Sequence, residues 1–200
     1  MAMKKHLLVL TACFAVSTLL LNAQQTFQKT WGGILYDHAN DMITTTDGNF
    51  AIVGSTFNSA LNCDNILLIK INSIGDTLWT RVYGVSGGQT GYNVKQTFDN
   101  GYIITGGGGG FIPGDASEDI LLLRTDMNGN LMWTKAYGGT KLDYPTDLIV
   151  FEKDSGFLIT GTTYSFGYID SSCFGPCPNT YIIRADKNGD TLWTKVYWSN

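Results

Sequence analysis

The sequence is poor in charge: only 15% of its residues are Asp, Glu, Lys or Arg, where a soluble globular domain has about 25%. With 44% apolar residues, this composition excludes an intrinsically disordered chain. It also excludes a coiled coil or a helical bundle rich in Ala, Glu, Lys and Leu. The abundant residues are 24 glycines and 12% aromatics, which are typical of short strands and tight turns. A length of 200 residues allows one domain, or two at most.

Histidine is also scarce, since only His38 remains beyond the N-terminal segment. A Ser-His-Asp or Cys-His nucleophilic centre is therefore not indicated, and no Gly-x-Ser-x-Gly motif is present. Five glycines at 106–110 lack the Lys-Ser/Thr ending of a phosphate-binding loop. We expect no catalytic residue and no cofactor, and interpret the chain as non-enzymatic.

Long apolar runs are missing except at the start. Lys4, Lys5 and His6 precede an apolar stretch over residues 7–21, and a small residue follows at Ala23. This pattern predicts a signal peptide over residues 1–23 and a secreted or cell-surface location. The alternative is a lipoprotein signal, in which Cys13 of the segment 10–13 (LTAC) is acylated.

The charge of the mature chain argues against nucleic acid as a partner. Removing residues 1–23 takes away two lysines and no acids, which leaves 11 basic and 17 acidic residues and a net charge of −6. Such a surface repels a phosphate backbone. We also expect no transmembrane segment in the mature chain, because no other stretch is apolar and long enough.

Cysteines are few, but export permits disulfides. Cys173 and Cys177 lie in a Gly/Pro loop (CFGPC) and are predicted to form a small disulfide. Zinc is the alternative, although it normally needs four ligands, and a redox pair usually has a two-residue spacing. Cys63 makes the count in the mature chain odd.

A repeat organises the mature chain. Residues 77–84 (TLWTRVYG) recur at 131–138 (LMWTKAYG) and 191–197 (TLWTKVY), and a degenerate copy stands at 26–33 (TFQKTWGG). The equivalent aromatic residues, Phe27 and then three tryptophans, are spaced by 52, 54 and 60 residues. Units of this length are typical of propeller blades and other repeat folds.

Each repeat contains four short apolar segments separated by turn residues. Gly75, Gly129 and Gly189 are predicted to supply the positive φ of a tight hairpin before the Trp segment. The predicted strands span residues 38–46, 49–55, 65–71 and 77–83, then 91–98, 102–106, 119–125 and 131–137, then 145–152, 157–162, 180–185 and 191–197. A tandem of four-stranded units without helices predicts an all-β fold of β-propeller blades.

These motifs also carry a family resemblance. The recurring Leu-Trp-Thr-Lys-x-Tyr, Asp-Gly-Phe, Ile-x-Gly-x-Thr and Asp-x-Asn-Gly-Asp patterns resemble the secreted bacterial beta-propeller repeat family, across residues 24–200. Members of that family often carry a C-terminal sorting domain for type IX secretion, which this sequence lacks. The resemblance implies a propeller fold and says little about activity.

The predicted organisation is an incomplete ring. It has an orphan strand at 26–32 and blades at about 33–84, 85–138 and 139–198 within the repeat region 24–200. Three blades fall below the four to eight of most propellers. We therefore expect a chain truncated at its C-terminus, with missing blades supplied by the same or another chain.

The loops between the second and third strands of each blade differ most in length, and such loops usually carry recognition. Their aromatic residues are suited to stacking on a sugar or a peptide. The predicted ligand face consists of Phe57, Phe111, Tyr164, Phe166 and Tyr168. The alternative is that these side chains only cover the blade edges.

Paired polar residues recur near the start of each first strand: Asp37 and Asp41, Gln89 and Asn93, Asp143 and Asp147. Carboxylates around a channel mouth suit Ca²⁺, but we favour hydrogen bonds that each Asp accepts from loop backbone N–H groups and expect no metal ion. The predicted function is an exported propeller module that binds glycan or protein. The alternatives are the N-terminal fragment of a larger carbohydrate-active propeller enzyme, with its catalytic residues in missing blades, and a structural spacer.

Overall fold

The computed structural model describes residues 28–32, 35–84, 87–109, 117–152, 155–167 and 177–198. In this part of the chain, twelve β-strands form three four-stranded antiparallel sheets, and no helix is present. Accordingly, none of the described residues belongs to a helix that could cross a lipid bilayer. The predicted all-β class is confirmed.

Strand order in each sheet follows chain order. Sheet 1 contains β1 (Asp37–Thr44), β2 (Phe50–Asn58), β3 (Cys63–Ile71) and β4 (Thr77–Tyr83). Sheet 2 contains β5 (Gln89–Gln96), β6 (Tyr102–Gly108), β7 (Asp119–Thr125) and β8 (Leu131–Tyr137). Sheet 3 contains β9 (Asp143–Val150), β10 (Phe157–Thr163), β11 (Asn179–Ala185) and β12 (Thr191–Tyr197). The fourth strand of each sheet has the predicted bounds, whereas the first strands begin and end one or two residues earlier than predicted.

Short hairpins join the strands at one edge of the sheets, which we call the turn edge. Gly75, Gly129 and Gly189 have φ values of 83°, 75° and 78°, as their turn positions predict. In the hairpin of sheet 2, the carboxylate of Asp126 accepts hydrogen bonds of 2.8 Å from the backbone N–H groups of Asn128 and Asn130. These turns therefore follow from local chemistry. The opposite edge, where second strands end and first strands begin, is the loop edge.

The three sheets pack face to face in chain order. Because successive side chains of a strand point to opposite faces, β6 and β7 serve two cores. Tyr102, Ile104 and Leu121 pack against sheet 1, whereas Ile103 and Leu122 pack against sheet 3. Sheet 2 is consequently the apolar layer that both neighbours cover.

The first strands of the three sheets lie side by side around one open cavity of about 730 Å³. Its lining comes from β1, β5 and β9, and includes Met42, Gln96 and Ile149. Each of these strands contains a register shift against its neighbour, at Asn40, Tyr92 or Thr146. A bulge bends a strand and re-aims its side chains, and here it recurs at the same position in every sheet.

Residues 28–32 form no strand, which corrects the described part of the orphan strand predicted at 26–32. No β-ladder pairs with them, so they are held by side chains instead. Trp31 packs on the outer face of sheet 1, and its indole Nε1 donates a 2.9 Å hydrogen bond to Oγ1 of Thr77. Lys29 forms an ion pair with Asp76. Residues 26 and 27 lie outside the described residues.

Candidate binding site

Three tyrosines and one glutamate meet at the loop edge, between sheets 2 and 3. Tyr92 lies in β5, Tyr144 lies in β9, and Tyr164 directly follows β10. Glu118 directly precedes β7. We call these four residues the tyrosine cluster.

A bare glycine gives the cluster its close packing. A methyl group at Gly107 of β6 would stand 3.1 Å from the ring of Tyr92 and 3.8 Å from the ring of Tyr144. Both rings therefore lie against this backbone, in a space that a larger residue would fill. The bulge at Tyr92 directs its side chain toward this glycine from the neighbouring strand.

Burial and negative charge set the electrostatics of the cluster. Burial raises the pKa of Tyr144 to about 12, assisted by a hydrogen bond to Glu118 and by the charge of that carboxylate. The pKa of Tyr92 is raised too, by burial first and then by the charge of Glu118. Both hydroxyl groups are therefore neutral donors at physiological pH. The cluster combines aromatic surface with a carboxylate acceptor that is exposed to solvent.

This arrangement suits binding better than covalent chemistry. Aromatic rings offer flat apolar area, and hydroxyl and carboxylate groups at the rim bond polar ligands. Tyr144 is hydrogen-bonded to the carboxylate of Glu118, but its raised pKa keeps the phenol protonated, so it is a hydrogen-bond donor rather than an activated nucleophile.

The structure separates the predicted ligand-face residues. Tyr164 joins the tyrosine cluster through its interaction with Tyr144. Phe166 is 39% exposed and also packs against the core, since its ring centroid lies 5.4 Å from that of the buried Tyr181. Phe57 is half-buried within β2, where it pairs with Asp64. Phe111 and Tyr168, which complete the prediction, lie outside the described residues.

Tyr92, Tyr144 and Glu118 were missed by the sequence reasoning, which considered only the aromatic residues of the long loops. Tyr92 and Tyr144 belong to first strands, where the sequence pattern emphasised paired polar residues. A signal was nevertheless present, because the segment 89–92 (QTGY) places a tyrosine just after the strand begins. Its direction depends on the bulge, which the sequence pattern did not reveal.

The paired polar residues bond backbone and side chains near their strands. Oδ2 of Asp41 accepts a 2.9 Å hydrogen bond from the N–H of Val94 in sheet 2, and Oδ1 of Asp147 accepts one of 2.7 Å from the N–H of Leu148. Asn93 accepts one of 2.8 Å from Oγ1 of Thr105. In the described part of the chain, no group of three or more His, Cys, Asp or Glu residues is placed to hold a metal ion.

The cysteines contribute no part of the cluster. Cys177 is disulfide-bonded, and Cys173 lies outside the described residues, so their predicted pairing stays a prediction. Cys63 is half-buried at the start of β3.

Two grooves recur at the opposite, turn edge. The groove between sheets 1 and 2 measures about 400 Å³ and contains Asp47 and Lys70. The groove between sheets 2 and 3 measures about 440 Å³ and contains Asp99 and Arg124. In each groove the acid pairs with a buried base of the third strand, so the grooves repeat with the sheets while the tyrosine cluster does not.

Comparison with known proteins gives no assignment: no family model matches the chain, and a search of curated proteins finds no match.

Proposed function

We propose that the chain is an exported, non-enzymatic β-propeller module that binds glycan or protein through its loop edge. The observation that carries this proposal is the tyrosine cluster, in which Tyr92 and Tyr144 lie beside the exposed carboxylate of Glu118 and Tyr164 lies beside Tyr144. We call the interface between two neighbouring sheets a seam. Among the described residues, the cluster occurs only at the seam between sheets 2 and 3, as expected for a site selected for binding rather than for stacking sheets.

Two further observations support the propeller arrangement. The sheets pack face to face in chain order, and their first strands line one cavity. Inner strands around a central channel define a propeller. Export is supported by the basic and apolar pattern of residues 1–23.

The test is binding of the purified chain to arrays of glycans and of extracellular matrix proteins. We expect a discrete set of ligands, and Tyr92→Ala or Tyr144→Ala should weaken their binding about tenfold or more, since buried aromatic anchors dominate binding energy. Phe98→Ala is the matched control, because Phe98 is an exposed aromatic residue at the turn edge. Circular dichroism of each variant confirms that the sheets remain folded.

Two outcomes contradict the proposal. One is an absence of binding to either array by the folded chain. The other is binding that Phe98→Ala weakens and the two tyrosine variants leave intact, which would place the ligand at the turn edge.

A further inference from the structure

The outer face of sheet 3 exposes the aromatic residues that sheets 1 and 2 bury. Tyr83 and Tyr137 are each 8% exposed, whereas their counterpart Tyr197 is 52% exposed. Trp193 is 44% exposed, and its counterpart in sheet 2, Trp133, is half-buried. The last sheet thus presents a complete aromatic set with nothing packed on it in the described part of the chain.

The two existing seams show what this set binds. The hydroxyl of Tyr83 donates a 2.6 Å hydrogen bond to the carbonyl of Gly129, and Tyr137 donates one of 2.6 Å to the carbonyl of Gly189. Lys135 adds a 2.8 Å ion pair to Asp190. In both seams the fourth strand of one sheet therefore docks on the last hairpin of the next sheet.

The outer face of sheet 1 carries the same kind of hairpin. It spans residues 72–76, contains Gly75 with φ of 83°, and ends in Asp76. Beside it lies an apolar cluster that includes Leu67, Ile69 and Ile71. This face therefore has the features that sheets 2 and 3 offer to their preceding neighbours.

Residues 28–32 cover only part of that face. Lys29 pairs with Asp76, as Lys135 pairs with Asp190, so the segment imitates a fourth strand. Cavities of about 120 Å³ and 430 Å³ nevertheless remain beside Trp31, both lined by Leu67 and Ile69. Among the described residues, these five do not fill a surface that elsewhere receives a whole sheet.

We propose that the outer face of sheet 3 docks onto the outer face of sheet 1 of a second copy of this chain. Trp193 and Tyr197 pack against the hairpin at Gly75 and the apolar cluster, and Lys195 pairs with Asp76. The two faces are complementary in shape and in charge, because they carry the same groups as an interface that the chain forms twice internally.

Two such contacts close the assembly. A head-to-tail contact forms a ring when its rotation closes, and the described sheets of two copies number six, within the four to eight of closed propellers. Residues 28–32 compete with the second copy for the face of sheet 1, so they limit association. This inference concerns the faces of the outer sheets and does not depend on the tyrosine cluster.

Sedimentation equilibrium over a concentration series of the purified chain tests the proposal. We expect a dimer that Trp193→Ala with Tyr197→Ala weakens about tenfold or more, and that Trp31→Ala strengthens by removing the competing segment. Leu192→Ala is the matched control: Leu192 lies on β12 and is exposed, and its counterparts Leu78 and Met132 stay exposed beside completed seams.

The proposal is overturned if the chain and its Trp31→Ala variant both remain monomeric throughout the series. It is also overturned if the doubly substituted variant, shown to be folded by circular dichroism, dimerises as tightly as the original chain. Growth into long polymers would overturn the closed two-copy ring.

Discussion

The seam between sheets 1 and 2 and the seam between sheets 2 and 3 share their apolar packing. In the first, the ring centroid of Trp79 lies 5.8 Å from that of Tyr102 at an interplanar angle of 70°. In the second, Trp133 lies 6.1 Å from Phe157 at 62°. These edge-to-face pairs occupy equivalent positions, so the repeat reproduces the core contact closely.

The two seams differ in the polar pair near the loop edge. In the first, Nδ2 of Asn65 donates a 3.2 Å hydrogen bond to Oε1 of Gln89. In the second, Asp119 and Asp143 occupy these positions, and both are buried. A methyl group at Gly84 would overlap the first pair, and one at Gly138 the second, so the two pairs enclose equivalent glycines.

The difference lies in hydrogen-bonding capacity. Oδ2 of Asp143 accepts hydrogen bonds of 2.9 Å from the N–H of Gly139 and 2.7 Å from the hydroxyl of Ser165. Its Oδ1 is buried without a hydrogen-bond partner among the described residues. An ionised carboxylate only accepts hydrogen bonds, whereas an amide also donates. The comparison teaches that two seams with the same apolar packing contain polar pairs of different hydrogen-bonding capacity.

The substitution with the largest expected effect disrupts the apolar packing that both seams share. Gly189→Ala should lower the free energy of unfolding by about 3 kcal/mol, because it combines a positive φ with overpacking. The added methyl would stand 2.8 Å from the ring of Trp133. Chemical denaturation measures the loss.

Gly48→Ala is the control for that substitution, since Gly48 has φ of 75° and no atom within 4 Å of the added methyl. It should lower the free energy of unfolding by only about 1 kcal/mol, because the positive φ is then the sole unfavourable feature. Equal losses for the two variants would show that the contact with Trp133 is not important.

The next effect tests whether the two seams are equally strong at their tyrosines. Tyr83→Phe and Tyr137→Phe each remove a buried hydroxyl and leave a glycine carbonyl without its donor. Each should lower the free energy of unfolding by about 1.5 kcal/mol. Urea denaturation gives both values, and a difference of more than about 1 kcal/mol between them would contradict the equivalence of the seams.

The polar pair of each seam can be changed to resemble that of the other seam. Asp119→Asn supplies the second seam with an amide donor and should raise the free energy of unfolding by about 1 kcal/mol. Asn65→Asp places an acceptor opposite Gln89 and should lower it by a similar amount. Thermal denaturation at pH 7 shows whether each substitution raises or lowers the stability. Destabilisation by both variants would show that the polar pairs are not exchangeable.

The smallest expected effect is that of low pH on Asp47, which lies at the turn edge of the first seam. Burial by itself raises the pKa of Asp47, but hydrogen bonds from Thr45, Lys70 and Asn49 outweigh it and hold that pKa well below its usual range. Lys70 also donates a 3.0 Å hydrogen bond to the hydroxyl of Tyr102, for which the second seam has Phe157. Protonation of Asp47 therefore weakens its ion pair with Lys70, which in the first seam is also hydrogen-bonded to a tyrosine of sheet 2.

The sign follows from the lowered pKa. The stabilisation is present above the unfolded value of about 3.9 and is lost as the pH falls toward the folded value. Because the carboxylate is largely exposed, the contribution at pH 7 should be below about 1 kcal/mol. Asp47→Asn should therefore be less stable than the original chain at pH 7, and the difference should shrink steadily as the pH falls from about 4 to about 2 in urea denaturation. A constant difference across this range would contradict the assignment.

Strands and hairpins were predictable because their determinants are local. Gly129 and Gly189 mark turns that require positive φ, and the apolar segments 119–125 and 157–162 lie within one residue of β7 and β10. Residues 28–32 were not predictable in the same way. They repeat the pattern of a fourth strand, but a strand needs a neighbour to bond, and no β-ladder pairs with them in the structure.

The binding site was predictable only in part. Tyr164 was included because aromatic residues in long loops are a visible signal. Tyr92 and Tyr144 were not, because a β-bulge decides where Tyr92 points and the bare backbone of Gly107 decides that both rings fit. The meeting of Asp119 with Asp143 is likewise a consequence of packing sheet 2 on sheet 3.

Side-chain alternation, turn residues and an in-phase repeat are properties of neighbouring residues, and they were sufficient to set twelve strands and three sheets. Which side chains meet across a seam depends on how whole sheets stack, because residues distant in the chain are brought together only there. The tyrosine cluster, the two kinds of polar pair and the exposed face of Trp193 and Tyr197 are therefore outcomes of tertiary packing.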